Sequence, residues 1–187
     1  DGTLVDYVVD LKNADDLHLK KDIEVPVKFL NSIGVMNVVT TNQPGIAKGY
    51  MTHAQLTAIH KKMETELGNR RGWVDEIYFC PHHPEKGFAG EVKDLKIECD
   101  CRKPKIGMFL QAKDTYNIDF SKSLVVGDSH RDRLAAEKLG IGFVAITDGE
   151  GKIDDLRPNV FETSDALKLK EFFAQYFKSK GINYDSH

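Results

Sequence analysis

The chain has 187 residues, 41% hydrophobic and 29% charged, so it can bury one core and is not a disordered low-complexity segment. Its 26 Lys and Arg face 29 Asp and Glu, and the net charge of −3 argues against a non-specific nucleic-acid binder. No run approaches the roughly 18 apolar residues of a membrane span, and an odd count of cysteines suits metal binding in the cytoplasm better than a disulfide framework.

The chain opens on Asp1-Gly2-Thr3-Leu4, with no Met and no strand before it. A helix is expected over 24–33, with Val25, Phe29, Leu30 and Ile33 on one face. A strand rich in β-branched residues follows at 35–40. Thr52 and Gln55 form a capping-box pattern at the head of a helix over 52–67, which repeats Leu56, Ile59, Met63 and Leu67. A second strand is expected at 76–80. The stretch 81–98 is rich in Pro, Gly and charge, has neither period, and reads as a loop rather than a domain boundary. Beyond it come a helix over 106–116 with Phe109, Leu110 and Lys113, and a strand at 123–127. A helix over 131–139 stops at Gly140, and a strand follows at 142–147. The last helix, 165–178, carries Leu169, Phe172, Phe173, Tyr176 and Phe177. Alternating strands and amphipathic helices predict one α/β domain with a doubly wound, Rossmann-like parallel sheet. His18, His53 and His60 have no evident partner and read as surface residues, as does the charge run Lys20-Lys21-Asp22.

Four polar clusters follow the ends of expected strands, where open α/β sheets bind ligands. They are Asp1-Gly2-Thr3, Thr41-Asn42-Gln43, Arg102-Lys103-Pro104 and the run from Gly127 to Asp132. Carboxylates, a hydroxyl, amides and cations together suit Mg²⁺ and a phosphate. Separately, Cys80-x-His82 and Cys99-x-Cys101 offer three thiolates and an imidazole, a closed tetrahedral set for a structural Zn²⁺ that would pin the 80–101 loop beside Arg102 and Lys103. His83 is the competing imidazole, and the spacing favours His82.

DGTL at the start, Thr41 after an apolar strand, Lys103, and the GDxxxD pair Asp128 and Asp132 occur in the order of the motifs of the haloacid dehalogenase-like phosphatases, which this sequence resembles. The TNQPGIAKG stretch from Thr41, CPHHP from Cys80 and CDCRKP from Cys99 resemble the group within it that acts on D-glycero-D-manno-heptose 1,7-bisphosphate. The resemblance implies a Mg²⁺-dependent phosphatase without a large cap domain that removes the C7 phosphate through an aspartyl-phosphate. Its nucleophile would stand two positions before Asp1, on a strand that precedes the residues given. Asp1 would be the general acid/base, with its carbonyl on Mg²⁺. Asp128 would ligate Mg²⁺, and Asp132 would help hold that site. Thr41 would bond phosphoryl oxygens and Lys103 would offset their charge. Arg102 would hold the second phosphate, with Asn42, Gln43 and Ser129 as further substrate contacts. Val8-Val9-Asp10 departs from the family's substrate loop. The expected partner is a small sugar phosphate, with a sugar nucleotidyltransferase as fusion or pathway partner, and no nucleic acid or membrane. The alternatives are a histidinol-phosphatase, a phosphatase of another small ester and, if the chain truly starts at Asp1, an inactive sugar-phosphate-binding fragment. A polynucleotide 3′-phosphatase fits the negative net charge poorly.

Overall fold

The computed structural model describes residues 2–8, 11–147 and 161–184. The elements run α1 Glu24–Ser32, β1 Val38–Asn42, α2 His53–Asn69, β2 Glu76–Cys80, α3 Gly107–Tyr116, β3 Leu124–Gly127, α4 His130–Leu139, β4 Gly142–Ile146, β5 Phe161–Thr163 and α5 Ala166–Ser179. All strand pairs are parallel: β1 with β2, and β3 with β4 with β5.

Local chemistry explains most boundaries. The Thr52 side chain accepts from the Gln55 amide at 3.2 Å while the Gln55 side chain accepts from the Thr52 amide at 2.8 Å, so the capping box forms as read. Leu56, Ile59, Met63 and Leu67 are the buried face of α2. Strand β1 begins three residues later than the apolar pattern, because the Val35 amide turns back to the Leu30 carbonyl and the ladder starts at Val38 opposite Glu76. It also runs on to Asn42, opposite Cys80. Strand β5 was not expected; three residues are too short to show a period, and only pairing with Val144, Ala145 and Ile146 makes them a strand.

Two helix faces differ from the periodic reading. In α1 the buried residues are Pro26, Val27 and Leu30, with Val25 only half-buried, because the helix packs against α5. In α3 Met108 and Ala112 are buried towards β1 and β2, while Leu110 is 42% exposed. The Lys113 ammonium lies 5.0 Å from the Phe120 ring centre instead of facing a core. His60 also departs from the surface reading. It packs edge-on to Phe79, with 5.8 Å between ring centres, and burial lowers its pKa.

The parallel strands form two sheets, as expected of a sheet whose central strand would precede Asp1. No strand among the described residues pairs with the free side of β1 or of β3. Both strands line one largely apolar cavity of about 510 Å³, along Val38–Thr41 and Leu124–Val126, together with Val27, Phe173 and Phe177. Leu4 and Val5 line it as well, and Val5 bridges antiparallel to Leu19.

Candidate active site

The first carboxylate, Asp1, lies outside the described residues, as do Val9 and Asp10 of the departing loop. Gly2 is buried with φ +73°, and a Cβ there would lie 2.0 Å from an Asp128 carboxylate oxygen, so only glycine allows this approach. The Thr3 hydroxyl donates to Asp128 Oδ1 at 3.5 Å. The first motif and the GDxxxD pair, far apart in sequence, thus meet at the carboxyl end of β3.

Asp132 sits in the first turn of α4 with its side chain 7% exposed. Lys103 Nζ donates to Asp132 Oδ1 at 2.6 Å and to the Thr40 carbonyl at 2.6 Å. The lysine, which lines the cavity with Thr40 and Asp132, therefore ties β1 to the start of α4. The Ser129 amide and hydroxyl both donate to the second Asp132 oxygen. Burial and the neighbouring Asp132 charge push the Asp128 carboxyl up from its ordinary value. A carboxylate destabilised in this way is suited to a cation, and its hard oxygens fit Mg²⁺.

Thr41, at the end of β1, accepts a hydrogen bond from Gln43 Nε2 at 3.0 Å, which leaves its hydroxyl proton to point elsewhere. Asn42 gives its amide to Lys103. Its Nδ2 donates to the Lys103 carbonyl at 3.0 Å and its Oδ1 accepts from the Lys103 amide at 2.9 Å. Arg102 Nη1 donates to the His82 carbonyl at 3.4 Å. The structure thus brings Thr41, Lys103, Asp128 and Asp132 together. It shows Asn42, Gln43 and Ser129 positioning those groups, with Arg102 reaching towards the cysteine loop.

Beside this edge, Cys80, His82, Cys99 and Cys101 converge, their ligand atoms all within 4.8 Å of one another. Sulfur pairs stand 3.0, 3.4 and 3.6 Å apart, and His82 Nδ1 lies 3.3 Å from Cys101 Sγ. Those gaps are far longer than a disulfide and slightly shorter than the edge of about 3.8 Å of a tetrahedron with 2.3 Å metal–sulfur arms. Burial raises the Cys80 thiol. At Cys99 hydrogen bonds from its neighbours outweigh burial and lower the thiol. His83 points away from the cluster, buried edge-on against Phe88 with 5.7 Å between ring centres. The sequence pattern missed Gly2 as a steric requirement and Thr40 as the acceptor for Lys103. A backbone carbonyl carries no side-chain signal, but the glycine after Asp1 was visible.

A family model described as HAD-hydrolase-like matches residues 100–168. The D-glycero-beta-D-manno-heptose-1,7-bisphosphate 7-phosphatase of Haemophilus ducreyi is 39% identical over 164 residues, 82% of this chain and 87% of that one. The Vibrio cholerae protein of the same name is 43% identical over 113 residues, 60% of this chain, and the match spans 59% of that relative's length. A crystal structure of the D,D-heptose 1,7-bisphosphate phosphatase from B. bronchiseptica, complexed with magnesium and phosphate, superposes with a TM-score of 0.79 at 29% identity, covering 94% of each chain.

Proposed function

The chain belongs to the haloacid dehalogenase-like phosphatases, and on that premise we propose that it removes the C7 phosphate of D-glycero-D-manno-heptose 1,7-bisphosphate. One observation carries the reading: Gly2 and Thr3 pack on Asp128 while Lys103 bridges Thr40 and Asp132, so all four motifs share one sheet edge. This reading is supported by the relatives above, whose names state that substrate.

In this reading the nucleophilic aspartate stands two residues before Asp1, on a strand between β1 and β3. The facing inner edges and the apolar lining of the cavity support it, because a central parallel strand must be apolar on both faces. Attack on phosphorus forms an aspartyl-phosphate, and Asp1 protonates the departing sugar oxygen and then takes a proton from water. The Thr41 hydroxyl donates to a phosphoryl oxygen. The Lys103 ammonium balances the charge that nucleophile and phosphate bring together. Asp132 keeps that ammonium aimed at the end of β1. Asp1 and Asp128 hold Mg²⁺, which when bound offsets charge on the transferring phosphoryl group. Arg102 takes the second phosphate, while Asn42, Gln43 and Ser129 order Lys103, Thr41 and Asp132. Cys80, His82, Cys99 and Cys101 would hold a structural Zn²⁺, since three soft thiolates and one imidazole make a closed tetrahedral set. The product, a sugar 1-phosphate, is the class of compound that a sugar nucleotidyltransferase consumes, which supports such an enzyme as pathway partner in the cytoplasm. No helix among the described residues is long and apolar enough to cross a membrane.

The test uses the chain extended through its nucleophile, with Mg²⁺. Phosphorus NMR is expected to show loss of the 7-phosphate with the 1-phosphate retained. Turnover of histidinol phosphate or another ester, with the bisphosphate left intact, would reject this substrate.

A further inference from the structure

The loop from Pro81 to Glu98 is fastened at its root by the cysteine cluster, but a second device sits at its tip. Phe88 is its centre. Lys96 Nζ lies 4.5 Å and Lys48 Nζ 4.8 Å from the centre of that ring. The rings of Tyr50 and His83 meet it edge-on, with centres 6.0 and 5.7 Å away. Phe88 is a lone large aromatic in a polar stretch, and it gathers residues from its own loop and from the turn that follows β1.

Lys96 is the unusual member. Its side chain is only 1% exposed. Its ammonium has Glu91 at 3.8 Å and the Phe88 face, but no hydrogen-bond acceptor among the described residues. Removing an ammonium from water is costly, so its neighbours must hold it in place. Glu91 completes the tip by accepting from the Gly87 and Phe88 amides at 2.9 and 3.2 Å. The tip is docked on the turn that follows β1. The Val92 amide donates to the Ala47 carbonyl at 3.0 Å. Gly49, at φ +74°, lies so close to Gly90 that a Cβ would stand 2.0 Å from the Gly90 carbonyl oxygen. That turn begins at Gln43, two residues beyond the catalytic Thr41.

We infer that Phe88 and Lys96 are positioning residues: their cation–aromatic stack seats the loop tip on the turn after β1, independently of the metal cluster, and so shapes the mouth for a substrate larger than its phosphate. The stack touches no reacting atom. Its effect reaches the chemistry through the turn that carries Thr41, Asn42 and Gln43 and through Lys48, whose ammonium Phe88 holds. The kinetic part of this inference rests on the proposed substrate; the positioning part does not.

The experiment uses the metal-loaded chain extended through its nucleophile, with the variants Phe88→Leu, Lys96→Met and Lys96→Arg. Amide exchange at Phe88 and Val92 is expected to rise about tenfold in Phe88→Leu and Lys96→Met, with zinc content unchanged. KM for the heptose bisphosphate is expected to rise about fivefold while kcat stays near that of the parent, and p-nitrophenyl phosphate should show no such split. Lys96→Arg, which keeps a cation over the ring, should restore both. Unchanged exchange in both disruptive variants, or faster exchange only together with zinc loss, would overturn the inference. Parent protein that fails to cleave the bisphosphate would sink the substrate instead, while the exchange data would still decide the positioning role.

Discussion

Two polar clusters stand side by side at the same sheet edge, and they are balanced differently. In the carboxylate cluster, Asp132 has its cation supplied by the chain as Lys103, and the surrounding amides and hydroxyls are bonded. In the thiol cluster, the four ligand atoms crowd one another, backbone amides add hydrogen bonds to Cys80 and Cys99, and no cationic side chain belongs to the set. The first balances its buried carboxylate from within the chain. The second is a ligand set whose geometry makes sense around an ion. On the proposed reading a metal would be a reagent at one site and a structural part at the other, and the chain joins the two where Lys103 follows Cys101 by two positions.

The contrast can be broken at either end. The largest effect is expected from the thiol side. Cys101→Ser, or stripping with a strong chelator, should cost on the order of several kcal/mol and abolish stoichiometric zinc, because the ion's binding free energy is part of the loop's folding free energy. Thermal melting with metal analysis checks this, and an unchanged melting point would refute the structural role. Next comes Lys103→Met, which leaves the buried Asp132 charge without its partner. A loss of about 3 kcal/mol is expected, and phosphate release should fall by about a hundredfold or more. Adding Asp132→Asn should recover part of the stability and none of the activity, which separates folding from catalysis in paired melts and assays.

The smallest effect sharpens the comparison by showing an ion–dipole pair remote from both clusters. The Tyr116 hydroxyl donates to Glu76 at 2.8 Å, and the Ile77 amide together with this hydroxyl holds the Glu76 carboxyl below its ordinary value. A depressed acid stabilises the fold above its unfolded value and loses that contribution as pH falls. The parent should therefore melt slightly higher than Tyr116→Phe at pH 7, with the gap closing as pH drops below about 4.3. A gap that widens in acid would reverse the sign and reject the pair.

Much of this was legible in the residues, for identifiable reasons. Cys80, His82, Cys99 and Cys101 could be read because ligand chemistry needs those side chains at short spacings, and the structure gathers the same four. Helix α2 could be read because its cap and its apolar stripe are both local signals. The α3 face could not, since Leu110 and Met108 are equally apolar and only the position of the β1–β2 sheet selects Met108. The same holds for Asn42. Its amide suits a substrate as well as a backbone, and tertiary proximity of Lys103 decided how it is used.

The sequence by itself determined the alternation of strands and helices, the metal-ligand set and the order of the four phosphatase motifs, because these depend on side-chain type and spacing along one chain. Only the tertiary structure decided that Gly2 meets Asp128, that Lys103 ties Thr40 to Asp132, that β1 and β3 border one apolar cavity, and that Phe88 collects Lys48 and Lys96. Those facts depend on backbone carbonyls, close approaches and rings from distant segments. Their energies exist only once the chain has brought them within a few ångströms.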